Sequence, residues 1–251
     1  MINGYEIWSG PSKLDGSPIV VIATGIVRSS ANAKTGGMVQ TYILRADVSP
    51  TAAVKSGADV SICGGCPHRG NGDGTGRTCY VNVGQGPLVV WKAWKRGAYP
   101  LAGHHDGCLE FPGTEEIGAG RVVRIGSYGD PAAVPVWVWE SLTRRAVGRT
   151  GYTHQWRKCD PALMRFVMAS CDSEQDATEA RARGFRYFRV AFPRDVARLH
   201  GEAICPASAE AGHKIQCDQC LACDGTAGKR GSVVIRAHGG RAVMANVQKF
   251  A

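Results

Sequence analysis

Val122-Val123-Arg124-Ile125, closed by Gly126-Ser127-Tyr128-Gly129-Asp130-Pro131, opens the part of the chain that decides the fold. The apolar, β-branched run reads as a strand, and the Gly/Asp/Pro cluster after it is turn chemistry. Val134 to Val147 then reads as a helix stopped by Gly148, and Gly151-Tyr152-Thr153-His154 as a short strand. Arg165-Phe166-Val167-Met168-Ala169-Ser170 is the next strand. Ser173 caps a helix through Arg183, with Glu174 and Asp176 facing the positive end of its dipole and Gly184 as its stop. Arg186-Tyr187-Phe188-Arg189-Val190-Ala191 and Ser232-Val233-Val234-Ile235-Arg236-Ala237 complete the series. Strands alternating with helices at this spacing imply βαβ units and a mostly parallel sheet. With roughly six to eight strands available, a partial or irregular (β/α) barrel is the simplest closure, and an open doubly wound sheet is the alternative.

Upstream, Ile19-Val20-Val21-Ile22-Ala23 and Val39-Gln40-Thr41-Tyr42-Ile43-Leu44 are strands, separated by a small polar loop from Ser29 to Gly37. Pro87 suits a first helical turn, so Leu88 to Lys95 reads as a helix ending at Gly97. The expected organisation is a single α/β domain over residues 1–251. Its first 120 residues carry N-terminal strands and a cysteine loop, and residues 121–251 carry the βα repeats and a second cysteine group. No G-x-G-x-x-G or G-x-x-x-x-G-K-[ST] opens any of these helices, which argues against the common NAD and ATP folds.

Ten cysteines are present, and seven fall in two groups. Met1-Ile2-Asn3-Gly4-Tyr5-Glu6 does not read as a signal peptide, so a cytoplasmic setting is expected, where thiols stay reduced and clustered cysteines read as metal ligands. The first group is Cys63-Gly64-Gly65-Cys66-Pro67-His68 with Cys79-Tyr80 after a gap. Three thiolates leave one coordination position open unless His68, His104 or His105 supplies it; an open position suits a catalytic metal or a substrate-binding iron–sulfur cluster, and a closed Cys3His zinc only staples a loop. The second is Cys205-Pro206 with Cys217-Asp218-Gln219-Cys220-Leu221-Ala222-Cys223. Its C-x2-C-x2-C run resembles the wrapping of a [4Fe–4S] cluster with Cys205 as fourth ligand, while zinc held with Cys205 or His238 is the alternative. Cys108, Cys159 and Cys171 stand alone and read as small buried residues.

In parallel α/β architectures, reactive groups gather where strands end. Asp130, His154 and Asp172 fall there and are the candidate catalytic residues; Gly129, Tyr80 and Arg189 are the candidates for cofactor contact. Each has a plainer reading: Asp130 and Asp172 as helix caps, His154 as a half-buried histidine. The charge of +9, from 30 Lys plus Arg against 21 Asp plus Glu, favours a nucleic acid or nucleotide partner. Arg121, Arg124, Arg144, Arg145, Arg149, Arg157 and Lys158 form the richest basic stretch. Trp91, Trp94, Trp137, Trp139, Trp156 and Tyr99 are candidates for stacking bases, although Trp137 and Trp139 lie two apart and cannot share a helix face. No run of eighteen apolar residues exists, so no membrane span is expected.

With these residues in view, the chain resembles an uncharacterised family of bacteriophage proteins carrying two cysteine clusters. The resemblance rests on Asn32-Ala33-Lys34-Thr35-Gly36, Cys63 to Cys66 with Cys79-Tyr80, Arg124 with Gly129-Asp130, Tyr152-Thr153, Cys205-Pro206 and Cys217 to Cys223. That family is similar in layout to radical S-adenosylmethionine enzymes, which combine a partial α/β barrel, a three-cysteine loop and an accessory C-terminal cluster. The radical signature is C-x3-C-x2-C with an aromatic residue before the last cysteine; here the spacing is C-x2-C-x12-C and Tyr80 follows Cys79. The resemblance implies a partial barrel, a phage setting and an iron–sulfur cluster whose open iron takes a small cofactor such as S-adenosylmethionine, or the substrate. The positive charge together with that setting suggests a nucleic acid or nucleotide base as the target of modification. Two other functions fit the same residues: a zinc-containing, transglycosylase-like base-modifying enzyme with Asp130 as nucleophile, and a non-catalytic nucleic-acid-binding protein with structural metals.

Overall fold

A computed structural model describes residues 1–29, 35, 37–106, 109–191, 198–212, 215–227 and 230–237. Three strands come first: β1 (Gly4–Pro11), β2 (Pro18–Thr24) and β3 (Val39–Arg45). They are followed by α1 (Pro50–Ser56), α2 (Val60–Cys63), α3 (Gly86–Lys95), a small ribbon of β4 (His105–Asp106) and β5 (Leu109–Glu110), and α4 (Thr114–Gly118). The βα part then runs β6 (Val122–Tyr128), α5 (Val136–Thr143), β7 (Gly148–Thr153), β8 (Met168–Cys171), α6 (Glu174–Ala182) and β9 (Tyr187–Ala191). It ends with β10 (Glu202–Ile204), α7 (Cys217–Cys220) and β11 (Ser232–Arg236).

Nine strands form one sheet in the order β1-β2-β3-β6-β7-β8-β9-β11-β10. β1, β2 and β3 pair antiparallel, as an uninterrupted meander can; every pairing from β3 onward is parallel. The protein is therefore a mixed α/β fold with a mostly parallel sheet, and the end strands β1 and β10 do not pair with each other.

Side chains alternate across this sheet with the period of two that a strand imposes. Val123 and Ile125 of β6 pack with Val138, Trp139 and Leu142 of α5, and Ala169 and Cys171 of β8 pack with Ala177 and Ala180 of α6. The intervening residues Arg124, Thr150, Tyr152, Ser170, Phe188 and Val190 lie on the opposite face, where they line a cavity. One face of the sheet is thus the core, and the other is a site.

Several expected elements need correction in extent. The helix expected from Val134 to Val147 occupies only Val136–Thr143. A 3-10 turn at Pro131–Ala133 precedes it, and Pro135 sits at its N-cap without a backbone N–H to extend it backwards. At its other end Val147 N–H already donates to the Arg121 carbonyl (3.0 Å), drawing the chain into β7. α1 was not foreseen, although its signals are local: Ser49 caps Ala52 N–H, Pro50 begins the helix, and Gly57 ends it at φ 76°. Trp139 is fully buried with its indole N–H on the Pro131 carbonyl, whereas Trp137 is exposed, so only one of that pair is core. No helix among the described residues is long and apolar enough to cross a membrane.

Candidate functional site

Seven cysteines, Cys63, Cys66, Cys79, Cys205, Cys217, Cys220 and Cys223, line the walls of a single cavity of about 480 Å³. All seven are free thiols. The two groups come from segments more than a hundred residues apart, and the sheet brings them to the same face.

The first group sits at the carboxyl ends of β6 and β7. Cys63 closes α2, and Gly64 follows at φ 56°, where a Cβ would run into the Gln155 amide. That contact is used: Gln155 Nε2 donates to the Cys63 carbonyl (3.0 Å), and Gly65 N–H donates to Gln155 Oε1 (3.2 Å). The loop is held from the other side by buried Asp59, which pairs with Arg69 (2.6 Å) and Arg77 (3.5 Å). Arg69 also donates to the Gly64 and Gly57 carbonyls. Cys79 N–H donates to the His68 carbonyl (3.2 Å), which brings the third thiol back to the other two. Burial pushes the Cys63 thiol well above its ordinary pKa, and the nearby Cys66 and Cys79 push it the same way. Three partly buried thiols that repel one another as anions are an unfavourable arrangement unless a cation is shared among them.

The second group lies beside the middle of β7 and β9. α7 carries Cys217 and Cys220, and Leu221 at φ 51° turns the chain so that Cys223 folds back onto them. Cys223 is pushed up to about 12, by burial first and then by Cys205, Cys217 and Cys220, against the lowering effect of a hydrogen bond from Tyr152. Arg186 staples this loop, donating to the Ala222 and Gly231 carbonyls (2.7 Å each), the Gly225 carbonyl (2.6 Å) and Asp224 (2.5 Å). Cys205 joins through its N–H to the Val234 carbonyl (2.8 Å), at the end of β10. His238 and Cys108 lie outside the described residues, as do Asn32, Ala33, Lys34 and Gly36.

Between the first group and the strand ends is a carboxylate shared by two imidazoles. Asp172 Oδ1 lies 3.0 Å from His68 Nε2, and its Oδ2 lies 3.3 Å from His154 Nε2. The second contact is poorly aligned for a hydrogen bond. The rings meet edge to face with centroids 5.3 Å apart, and His68 Nδ1 is 2.6 Å from Thr78 Oγ1. Burial alone would depress His154, but Asp172 and the Cys66 thiol outweigh it and hold its pKa well above the ordinary imidazole value. Burial opposes ionisation of Asp172, yet the two histidines hold it far below the usual carboxylate range. His68, His154 and Asp172 are also the one set of His, Cys, Asp and Glu among the described residues whose donor atoms all lie within 4.8 Å.

The expected site residues separate cleanly. Asp130, His154, Gly129 and Tyr80 line the cavity. Asp172 does not cap α6, since Ser173 accepts from Asp176 N–H in that role; it holds His68 and His154 instead. Arg189, expected to contact a cofactor, is not among the cavity-lining residues: its Nε and Nη2 donate to Glu202 Oε1 and Oε2 (2.8 and 2.7 Å). His104 is exposed and also lies off the cavity. Of the residues considered for stacking bases, Trp91, Trp94 and Trp156 donate their indole N–H groups to Arg45, Glu6 and Ser170, and none of them lines the cavity. The aromatic lining is Tyr80, Tyr128, Tyr152 and Phe188.

Asp130 is a positioning residue. Its Oδ1 accepts from Ala132 N–H (3.0 Å) and Thr153 Oγ1 (2.7 Å), and its Oδ2 from His154 N–H (2.8 Å). Burial pushes its pKa above the ordinary carboxylate value while these donors pull the other way. Asp130→Asn leaves one acceptor oxygen and turns an amide N–H2 onto a backbone N–H, which costs about 1–3 kcal/mol. Chemical denaturation is expected to show that loss. Unchanged stability together with lost activity would instead make Asp130 a reacting group.

No family model, curated protein or solved structure matches the chain.

Proposed function

We propose that this protein is an iron–sulfur enzyme that acts on a nucleotide or a nucleic-acid base held between two clusters. The observation that carries this is the convergence of both cysteine groups on one cavity of about 480 Å³. A cavity of that size falls in the range of small-molecule sites and admits one nucleotide, free or turned out of a strand, rather than a duplex. Cys63, Cys66 and Cys79 would hold a [4Fe–4S] cluster with one iron left open, and Cys205, Cys217, Cys220 and Cys223 a closed one. Thiolates sharing a single tetrahedral zinc stand only about 3.8 Å apart, from a Zn–S bond of about 2.3 Å. Among the described residues no three cysteine sulfurs lie within 4.8 Å of one another, so what supports the two centres is the spacing of the cysteines and their convergence on one cavity, not preassembled ligand geometry.

A cluster with an open iron supplies one-electron chemistry and a coordination position for a small cofactor such as S-adenosylmethionine, or for the substrate. The chain's own residues do the rest. Asp172 holds both histidines, and His154, which lines the cavity, would keep or move a proton beside the first cysteine group. We read the sheet as an incomplete (β/α) barrel whose inner face carries this cavity, and base modification in a phage setting is the role that the resemblance suggests.

Anaerobic purification followed by metal and sulfide analysis tests the assignment. The expected result is a brown protein absorbing near roughly 400 nm with iron and acid-labile sulfide in equal amounts. A colourless protein with stoichiometric zinc and no sulfide would overturn it.

A further inference from the structure

Three hydroxyl groups in the cavity have no hydrogen-bond partner although they are buried: Thr35 Oγ1, Tyr128 Oη and Thr150 Oγ1, in residues only 2%, 3% and 3% exposed. Buried polar atoms are nearly always satisfied, so three orphans lining one cavity point to a ligand that supplies partners there. Arg124 stands beside Thr150. It is the register partner of Thr150 across the β6–β7 pairing, and their side chains share the cavity face. No carboxylate among the described residues pairs with Arg124. The one acidic residue lining the cavity, Asp130, has both oxygens occupied by Ala132, Thr153 and His154.

Four other arginines of the basic stretch are committed elsewhere, while Arg145 and Lys158 are exposed at the surface. Arg121 donates to the carbonyls of Gly25, Ile26 and Gly37, Arg144 pairs with Glu115, Arg149 donates to the Arg165 carbonyl, and Arg157 pairs with Asp176 and Glu179. Arg124 thus places a cation inside the cavity, which suits one anionic group rather than a long polyanion. One strand step further along β7 on the same face is Tyr152, about 7 Å from Thr150. Its ring meets Phe188 with centroids 4.8 Å apart, and both line the cavity. That separation matches the reach from a base, across its sugar, to its 5′-phosphate.

We infer that Arg124 and Thr150 form an oxyanion subsite for the phosphate of a single nucleotide, whose base packs against Tyr152 and Phe188. The guanidinium offers paired N–H donors and the Thr150 hydroxyl adds another to the phosphate oxygens. The inference rests on the nucleotide reading above for its substrate and on Arg124 with the orphaned Thr150 hydroxyl for its location.

Calorimetric titration of anaerobic holoprotein with a deoxynucleoside 5′-monophosphate, its parent nucleoside and inorganic phosphate tests it. The monophosphate is expected to bind at least about tenfold more tightly than the nucleoside. Inorganic phosphate is expected to compete with it. Arg124→Met should collapse the monophosphate to the nucleoside's affinity at unchanged iron content, and Thr150→Val should weaken the monophosphate alone. Phe188→Leu should weaken monophosphate and nucleoside alike. A phosphate advantage that survives both Arg124→Met and Thr150→Val would overturn the subsite, as would the absence of binding by every phosphate probe. Inorganic phosphate that binds through Arg124 with no gain from an attached nucleoside would uphold the subsite and overturn the nucleotide as its ligand.

Discussion

Alanine at Cys66 is expected to remove about half of the iron and sulfide from anaerobically prepared protein, and alanine at Cys217 the other half. The wild type should carry roughly eight irons, four in each cluster. Cys66 is one of only three thiols in its group, and two thiolates do not retain a cubane that already has one iron without a protein ligand. The two losses should be independent because the loops have separate supports. The first is tied down by Gln155, Arg69 and Asp59, the second by Arg186 and by Cys205 at the end of β10. The variants also locate the open iron. In reduced Cys217→Ala protein, S-adenosylmethionine or another small ligand at that position should change the electron paramagnetic resonance of the remaining cluster. In Cys66→Ala protein it should leave the signal unaltered. If either single variant emptied both centres, or neither changed the iron content, the two-cluster assignment would fail.

Why the two cysteine groups share one cavity could not be read from the chain. The cysteine groups themselves were plain: C-x2-C and C-x2-C-x2-C spacings are local, and local patterns survive in a sequence. Their meeting depends on β6, β7 and β9 turning one face to the helices and the other to both loops, and on Cys205 arriving from β10 across β11. The strands were legible through their apolar runs, yet those runs name the core face and are silent about Arg124, Thr150 and Phe188 between them. Asp172 shows the same limit. Its position just before Ser173 resembled a helix cap, but its partners His68 and His154 lie 104 residues upstream and on a neighbouring strand. Gln155 and Arg186, which fix the two cysteine loops, carry no motif at all. α1 was a different kind of omission, because Ser49, Pro50 and Gly57 gave start and stop signals that the cluster of strands before them obscured.

Arg189 is where function was expected and architecture was found, and breaking its pair should produce the largest change in stability. Arg189 on β9 reaches past β11 to Glu202 on β10 and makes a bidentate pair; their side chains are only 6% and 0% exposed. Glu202 also accepts from Leu199 N–H (2.8 Å). Glu202→Gln leaves the guanidinium buried without its anion, which costs about 3–5 kcal/mol. For a chain of this size that corresponds to a fall of roughly 6–20 °C in melting temperature. The pH dependence follows from the same contacts. Burial opposes the Glu202 charge, but Arg189 and the Leu199 N–H prevail and hold its pKa below the ordinary value. The folded state thus binds this proton less readily than the unfolded one, so the stabilisation is complete above about pH 4.3 and is lost as the pH falls through the lower, folded pKa. Melts of wild type and Glu202→Gln at equal iron content should therefore differ most near neutrality and converge in acid. Replacing both partners, Arg189→Met with Glu202→Leu, should recover most of the loss, because no buried charge is then left alone. Glu202 lies three residues before Cys205, so the single variant should also shed iron from the second cluster before the first. Stability equal to wild type at pH 7, with both clusters intact, would show that the pair does not hold β10 and its cysteine in place.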